Sequence, residues 1–237
     1  MSDIFLLIMG VQGSGKGTQA NFITDTHKIP HVSTGDLFRA MRTRTDPLAN
    51  RIRETLAAGL LVDDATTNEV LKDKLDSLAA AGQRGALLDG YPRNQEQAEF
   101  LTAYLAGRGQ KVNAVLLLEL DLYNAFKRSF GRVTASDGRA FNIYSNHAGV
   151  AWDFEKDPAR RFPPRLVAKI ESSGEELIRR EDDANAFGVI QRIEKFLSET
   201  QPVLPYYEQL GILRKVDADQ PIEAVKAQLF AAIEASK

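Results

Sequence analysis

The chain contains no cysteine in its 237 residues, which excludes disulfide cross-links and thiolate zinc sites. Histidine is scarce too, and His27, His31 and His147 are not spaced as a ligand cluster. No apolar run is long enough to span a bilayer, and Asp3 stands where a secretory leader would carry basic residues. Export and membrane insertion are therefore not expected, and the predicted location is the cytoplasm. An excess of positive charge is also lacking. With 30 Lys and Arg against 32 Asp and Glu the net charge is −2, so nothing advertises nucleic-acid binding and the basic residues must act locally. The length is enough for one substantial core carrying inserted subdomains.

What is present is concentrated near the start. Ile4 to Met9 reads as a buried strand, Gly10-Val11-Gln12-Gly13-Ser14-Gly15-Lys16-Gly17-Thr18 follows it, and Gln19 onward reads as a helix. A strand, a glycine-rich loop with a lysine, then a helix is the context of a phosphate-binding P-loop. Glycines let backbone N–H groups converge on an anion, the helix N-terminus adds partial positive charge, and Lys16 reaches the terminal phosphates. Gly17 rather than a hydroxyl residue follows the lysine, so the hydroxyl arrives at Thr18.

A second apolar run, Ala86-Leu87-Leu88, ends in Asp89, with Gly90-Tyr91-Pro92-Arg93 directly behind it. A carboxylate at the carboxyl end of a strand beside a P-loop can hold Mg²⁺, usually through water. Arg93 then falls at the sheet edge where ligands collect in open α/β folds. Between the two lies Ser33-Thr34-Gly35-Asp36-Leu37-Phe38-Arg39.

Apolar strands at Ile4–Met9, Ile29–Val32, Gly85–Leu88, Val112–Leu118 and Ile212–Val216 alternate with helical stretches. These are Lys16–Thr26, Asp64–Ala80, Gln95–Ala106 and Leu122–Phe130, then a long helix from about Ala184 and a closing one from Pro221. The alternation predicts a three-layer α/β/α fold around a five-stranded parallel sheet. Two stretches interrupt it. Residues 33–62 hold no strand and read as two short helices. Residues 131–183 are polar and turn-rich, without helical period, and read as a long segment lacking regular structure.

Together, Gly-x-x-Gly-x-Gly-Lys-Gly-Thr, Ser-Thr-Gly-Asp-x-x-Arg and Asp-Gly-Tyr-Pro-Arg resemble adenylate kinase, and the likeness runs nearly the whole length. The resemblance implies reversible phosphoryl transfer, ATP + AMP ⇌ 2 ADP. It implies a P-loop core of residues 1–32, 63–130 and 184–237, an AMP-binding subdomain at 33–62 and a mobile lid at 131–183. ATP would meet Gly13, Ser14, Gly15, Lys16, Gly17, Thr18, Arg128, Arg132, Phe141 and Gln220. AMP would meet Thr34, Arg39, the backbone around Leu60, Leu61 and Val62, Gly90, Tyr91, Pro92, Arg93, Gln97, Arg180 and Arg192.

The catalytic set implied is Lys16, Arg39, Arg93, Arg132, Arg180 and Arg192, a cage of charge around the transferred group. Arg192 lies one residue beyond the family's usual spacing from Arg180. Gln191 occupies that spacing, yet Thr200-Gln201-Pro202 and Tyr206-Tyr207 align through Arg192. Asp89 would hold Mg²⁺ through water. Asp36 would organise the helix after Ser33, or simply be a first-turn carboxylate favoured by the helix dipole. The expected partners are ATP, AMP and ADP, with no nucleic acid, no membrane and a monomeric state.

The lid departs from the family pattern. Many such lids carry four zinc ligands, mostly cysteine, so no structural zinc is expected here and a polar and hydrophobic network should replace it. Residues 142–161, with Trp152 and Phe154, look like an insertion whose aromatics pack a small lid core. For the acceptor, Gln97 can pair bidentately with an adenine edge, whereas UMP and CMP kinases show Asn near that spot. A UMP/CMP-type kinase and a catalytically silent nucleotide-binding module remain the alternatives.

Overall fold

The computed structural model describes residues 4–41, 43–57, 62–155, 165–179, 183 and 185–236. The chain divides into two compact units. The first comprises Met1–Gly10, Gly15–Glu119 and Glu199–Lys237, and the second Val11–Ser14 and Leu120–Ser198.

The first unit is built on a parallel sheet. Its strands are β1 (Phe5–Gly10), β2 (His31–Ser33), β3 (Ala86–Asp89), β4 (Val112–Glu119) and β9 (Leu213–Asp217), in the order β2-β3-β1-β4-β9. All four pairings are parallel. Every residue of β1 is buried, as a central parallel strand covered on both faces requires. The chain builds β2 and β3 on one side of β1 and β4 and β9 on the other, so the carboxyl end of β1 is where the topology reverses. Ligands collect at that point in open α/β sheets.

The helices of this unit are α1 (Lys16–His27), α2 (Thr34–Ala40), α3 (Pro47–Ala57), α4 (Asp64–Ala80), α5 (Gln95–Ala106), α8 (Leu204–Gln209) and α9 (Ile222–Glu234). Side-chain caps start several of them. Ser33 accepts from Asp36 N, Asp63 from Thr66 N and Asn94 from Gln97 N, each satisfying a first-turn donor. The interruption at 33–62 carries the two short helices expected. Met41, Ala49, Ile52 and Val70 form a small core there, with Leu37, Phe38, Leu48 and Val62 packed against it.

The second unit holds α6 (Leu122–Phe130), α7 (Ala186–Lys195) and two antiparallel hairpins, β5 (Arg132–Thr134) with β6 (Ala140–Asn142) and β7 (Val150–Glu155) with β8 (Arg165–Ile170). The described residues of 131–183 thus form paired strands, and the expectation of a structureless segment is corrected. Val133, Ala135, Ile143, Val150, Leu166, Ala168 and Leu177 are buried together, with Phe141, Phe154 and Ile170 against them. That apolar cluster holds the hairpins in a chain without cysteine. Of the two aromatics expected in it, Phe154 packs in, whereas Trp152 stays 42% exposed and meets Phe154 edge-on.

The long helix expected from about Ala184 is also corrected. After α7 the chain passes through one π turn (Phe196–Thr200) and one 3₁₀ turn (Gln201–Val203) before α8. Pro202 and Pro205 supply no N–H to a continuous α-helical ladder.

Candidate active site

The loop after β1 has the backbone that anion binding needs. Gly13 (φ 88°) and Gly15 (φ 91°) adopt left-handed conformations, and a Cβ on Gly13 would sit 2.5 Å from the Ala125 carbonyl oxygen. Only glycine fits there. Gly15 caps α1 without any side-chain bond, and the first turn of α1 carries no acidic residue. N–H groups at a helix start and the positive end of the helix dipole suit an external anion. Gly17 and Thr18 are exposed in that turn. Lys16 Nζ donates to the Gly10 carbonyl oxygen at 2.7 Å, which ties the lysine back to the end of β1. Ser14 is buried, and its N–H donates to Val11 O at 3.1 Å.

Asp89 ends β3, paired in register with Ile8 of β1. His31 Nε2 lies 3.5 Å from Asp89 Oδ2. Among the described residues no three or more His, Cys, Asp or Glu side chains form a metal-holding group.

Behind Asp89, Thr34 is buried and its Oγ1 donates to Gly90 O at 2.9 Å. Arg93 Nε donates to the same carbonyl at 2.9 Å. Thr34, Gly90 and Arg93 are thereby brought together. Crowding by neighbouring atoms pushes the Arg93 pKa below the ordinary arginine value, against the pull of Glu199 and Asp89, although part of its surface meets solvent. It remains a cation at neutral pH.

Arg39, in the last turn of α2, pairs with Asp36 one turn earlier. That bond is the first cause of a lowered Asp36 pKa, so Asp36 orients Arg39 as well as standing at the helix start. Val62 belongs to the small core described above. Leu60, Leu61 and Arg180 lie outside the described residues.

Tyr91 and Pro92 are buried, and the Tyr91 hydroxyl lies within hydrogen-bond reach of Asn68 Oδ1 and Gln97 O. Gln97 is only 3% exposed. Its Oε1 accepts from Arg93 N at 2.8 Å and its Nε2 donates to Asp64 Oδ1 at 2.6 Å. Pairing with a base therefore has to use the one N–H and the one lone pair that these bonds leave. Asp64 escaped the sequence reading, where it was only the first residue of a helix.

In the second unit Asp183 is fully buried and carries two arginines. Arg132 Nε donates to Asp183 Oδ2 at 3.0 Å, and Arg192 Nη2 donates to Oδ1. One buried carboxylate thus gathers two guanidiniums. Of the two candidates on α7, Arg192 joins it while Gln191 is exposed. Asp183 was also missed: in the run Arg180-Glu181-Asp182-Asp183 it reads as a solvated acid, and only burial says otherwise.

Arg128 is half-buried at the end of α6, where its carbonyl accepts from Asn142 Nδ2 at 3.1 Å. Phe141 packs against the hairpin cluster with the Arg139 guanidinium over its ring. Gln220, in the first unit, is exposed and donates to Asp217 Oδ2 at 2.9 Å.

The family model of adenylate kinase matches residues 8–212. The chain belongs to the adenylate kinase family. It is 34% identical to an adenylate kinase of Symbiobacterium thermophilum, across 98% of this chain and 99% of the relative. It is 36% identical to one of Desulforamulus reducens across 96% and 99%, and 34% identical to one of Thermotoga petrophila across 95% of each. Near-complete coverage by adenylate kinases supports adenylate kinase activity over a UMP/CMP-type kinase or a silent nucleotide-binding module. Within the adenylate kinase family this chain is a nucleotide-binding phosphotransferase, and its lid has no zinc-binding cysteines.

Proposed function

We propose that the chain interconverts ATP plus AMP with two ADP, using the loop Gly13–Thr18 and Lys16 on the ATP phosphates and Thr34, Arg39, Gly90–Arg93 and Gln97 on AMP. The observation that carries this is the open first turn of α1 behind two left-handed glycines, with Lys16 held at its base. Arg132 and Arg192, gathered on Asp183, supply further positive charge to the transferred group, and Arg180 is assigned with them. Leu60, Leu61 and Val62 line the acceptor base, while Arg128, Phe141 and Gln220 line the donor nucleotide.

Phosphoryl transfer asks little covalent chemistry of the protein, since an AMP phosphate oxygen is already ionised and nucleophilic. The residues orient two nucleotides, neutralise the charge of the transferred group and exclude water. Mg²⁺ arriving with the nucleotide, held by Asp89 through water, would add charge neutralisation there.

The reading includes residues 33–62 as the AMP-binding part and 131–183 as a lid, within a core of 1–32, 63–130 and 184–237. It also has the enzyme acting as a cytoplasmic monomer without nucleic-acid or membrane partners. The net charge of −2 supports the lack of nucleic-acid partners, and among the described residues no helix is long and apolar enough to cross a membrane. The test is coupled ADP formation across AMP, CMP, UMP and GMP. AMP should give the highest kcat/KM, and a preference for CMP or UMP would overturn the reading.

A further inference from the structure

The side chains of Asn94, Asp64 and Gln97, between α4 and α5, are bonded in an order that admits one arrangement. The Asn94 side-chain oxygen caps α5 by accepting from Gln97 N at 2.9 Å, which leaves its Nδ2 to donate to Asp64 Oδ2 at 2.7 Å. The other oxygen, Asp64 Oδ1, faces Gln97 Nε2 at 2.6 Å. A carboxylate offers only acceptors, so the Gln97 amide must turn its NH₂ toward Asp64. Its oxygen is then left for the backbone N–H of Arg93 at 2.8 Å. Asn68, one turn along α4 on the same face as Asp64, meets the Tyr91 hydroxyl that also reaches Gln97 O. Gln97 is thus held at its backbone and at both ends of its amide.

We propose that Asp64 is a specificity-determining positioning residue, which locks the direction of the Gln97 amide so that the acceptor site takes a 6-aminopurine and rejects a 6-oxopurine. This deepens the reading above and rests on Gln97 facing the acceptor base. Adenine presents a donor at its 6-position beside an acceptor at N1, and hypoxanthine presents the reverse order. An amide is a donor and an acceptor side by side, so a 180° flip converts a match for one base into a match for the other. What prevents the flip is a pair of neighbours, the Asp64 carboxylate that cannot donate and the Arg93 N–H that cannot accept.

The variant Asp64→Asn removes the carboxylate half of that restriction with almost no change of shape. Its amide places its oxygen toward Asn94 Nδ2 and its NH₂ toward Gln97, which sets a donor at position 64 against the Arg93 N–H and lets the flipped Gln97 compete with the original orientation. The experiment measures kcat/KM for AMP and for inosine monophosphate, with ATP as donor, in the wild type, Asp64→Asn and Gln97→Ala, alongside KM for ATP and the thermal melt. Expected for Asp64→Asn is a fall of about tenfold in the AMP-to-IMP ratio, on the scale of one mispaired polar group, with KM for ATP unchanged. Should Asp64→Asn not melt cooperatively, Asp64→Ser is measured in its place. A merely structural role for Asp64 would lower both acceptors together and leave their ratio fixed.

An unchanged ratio in the Asp64 variant, while Gln97→Ala collapses it, overturns the role of Asp64 and spares that of Gln97. A ratio unchanged in Gln97→Ala overturns both, because the base is then read elsewhere.

Discussion

Lys16 Nζ donates to the carbonyl oxygen of Gly10 at 2.7 Å. The bond closes the glycine-rich loop on itself: the residue that ends β1 anchors the cation that opens α1. An incoming phosphate competes with a neutral carbonyl for that ammonium group, and the charged acceptor makes the stronger bond. Lys16 is therefore held near its working position without a carboxylate partner in that bond.

Lys16→Met should leave the fold intact and remove turnover. The side chain is half-buried at the loop and no part of the sheet core. A cooperative melt is expected together with a loss of at least ~10²-fold in kcat, the scale of one preorganised electrostatic donor. Near-normal turnover would refute the P-loop assignment.

Asp183→Ala should destabilise the protein. The fully buried carboxylate balances Arg132 and Arg192, which keep about a quarter of their side chains open to water. Removing one partner of a buried ion pair costs about 3–5 kcal/mol, and solvent access to the arginines argues for the lower end. At about 3 kcal/mol the apparent melting temperature of a chain this long falls by roughly 6–12 °C. Asp183→Asn, which retains one acceptor oxygen, should fall less. A melting temperature unchanged in both variants would contradict a structural load on this carboxylate.

Elemental analysis of the purified enzyme should find no stoichiometric zinc. The chain has no thiolate to offer, and the hairpins of residues 131–183 are closed by an apolar cluster around Val133, Ile143, Leu166 and Leu177. One zinc per chain would show that a site exists outside the described residues.

A bisubstrate analogue, two adenosines joined by a phosphate chain, should raise hydrogen-exchange protection in 131–183 and 33–62 together. Such a ligand shifts a conformational equilibrium only if it binds one state more tightly than the other. In the proposed function the arginine pair on Asp183 and the Arg93–Gly90–Thr34 group supply the charges that meet phosphate in the bound state. Protection confined to Gly13–Thr18 would remove the lid assignment and make Arg132 and Arg192 ordinary structural charges.

The sequence by itself determined the parts of this protein whose physics is local. The glycine-rich loop was readable because left-handed dihedrals at Gly13 and Gly15 demand glycine within a few residues of Lys16. The three inner strands were readable because strands buried on both faces of a parallel sheet are continuously apolar. Asp64–Ala80, Gln95–Ala106 and Leu122–Phe130 match the observed helices end to end. Their boundaries are written in caps such as Asp63, Asn94 and Asp121. The hairpins at 132–170 were missed because two of their strands are three residues long, and the alternation Val150-x-Trp152-x-Phe154 is a weak signal within polar chain.

Only the tertiary structure decided which polar groups are buried and whom they face. Asp64 meets Gln97 across 33 positions, and Asp183 meets Arg132 across 51. Composition treats each of these carboxylates as a solvated charge. Packing by segments distant in the chain sets one, half-buried, against the Gln97 amide and buries the other as the shared partner of two arginines. Such roles depend on packing between elements, and no window of sequence contains both ends of the bond.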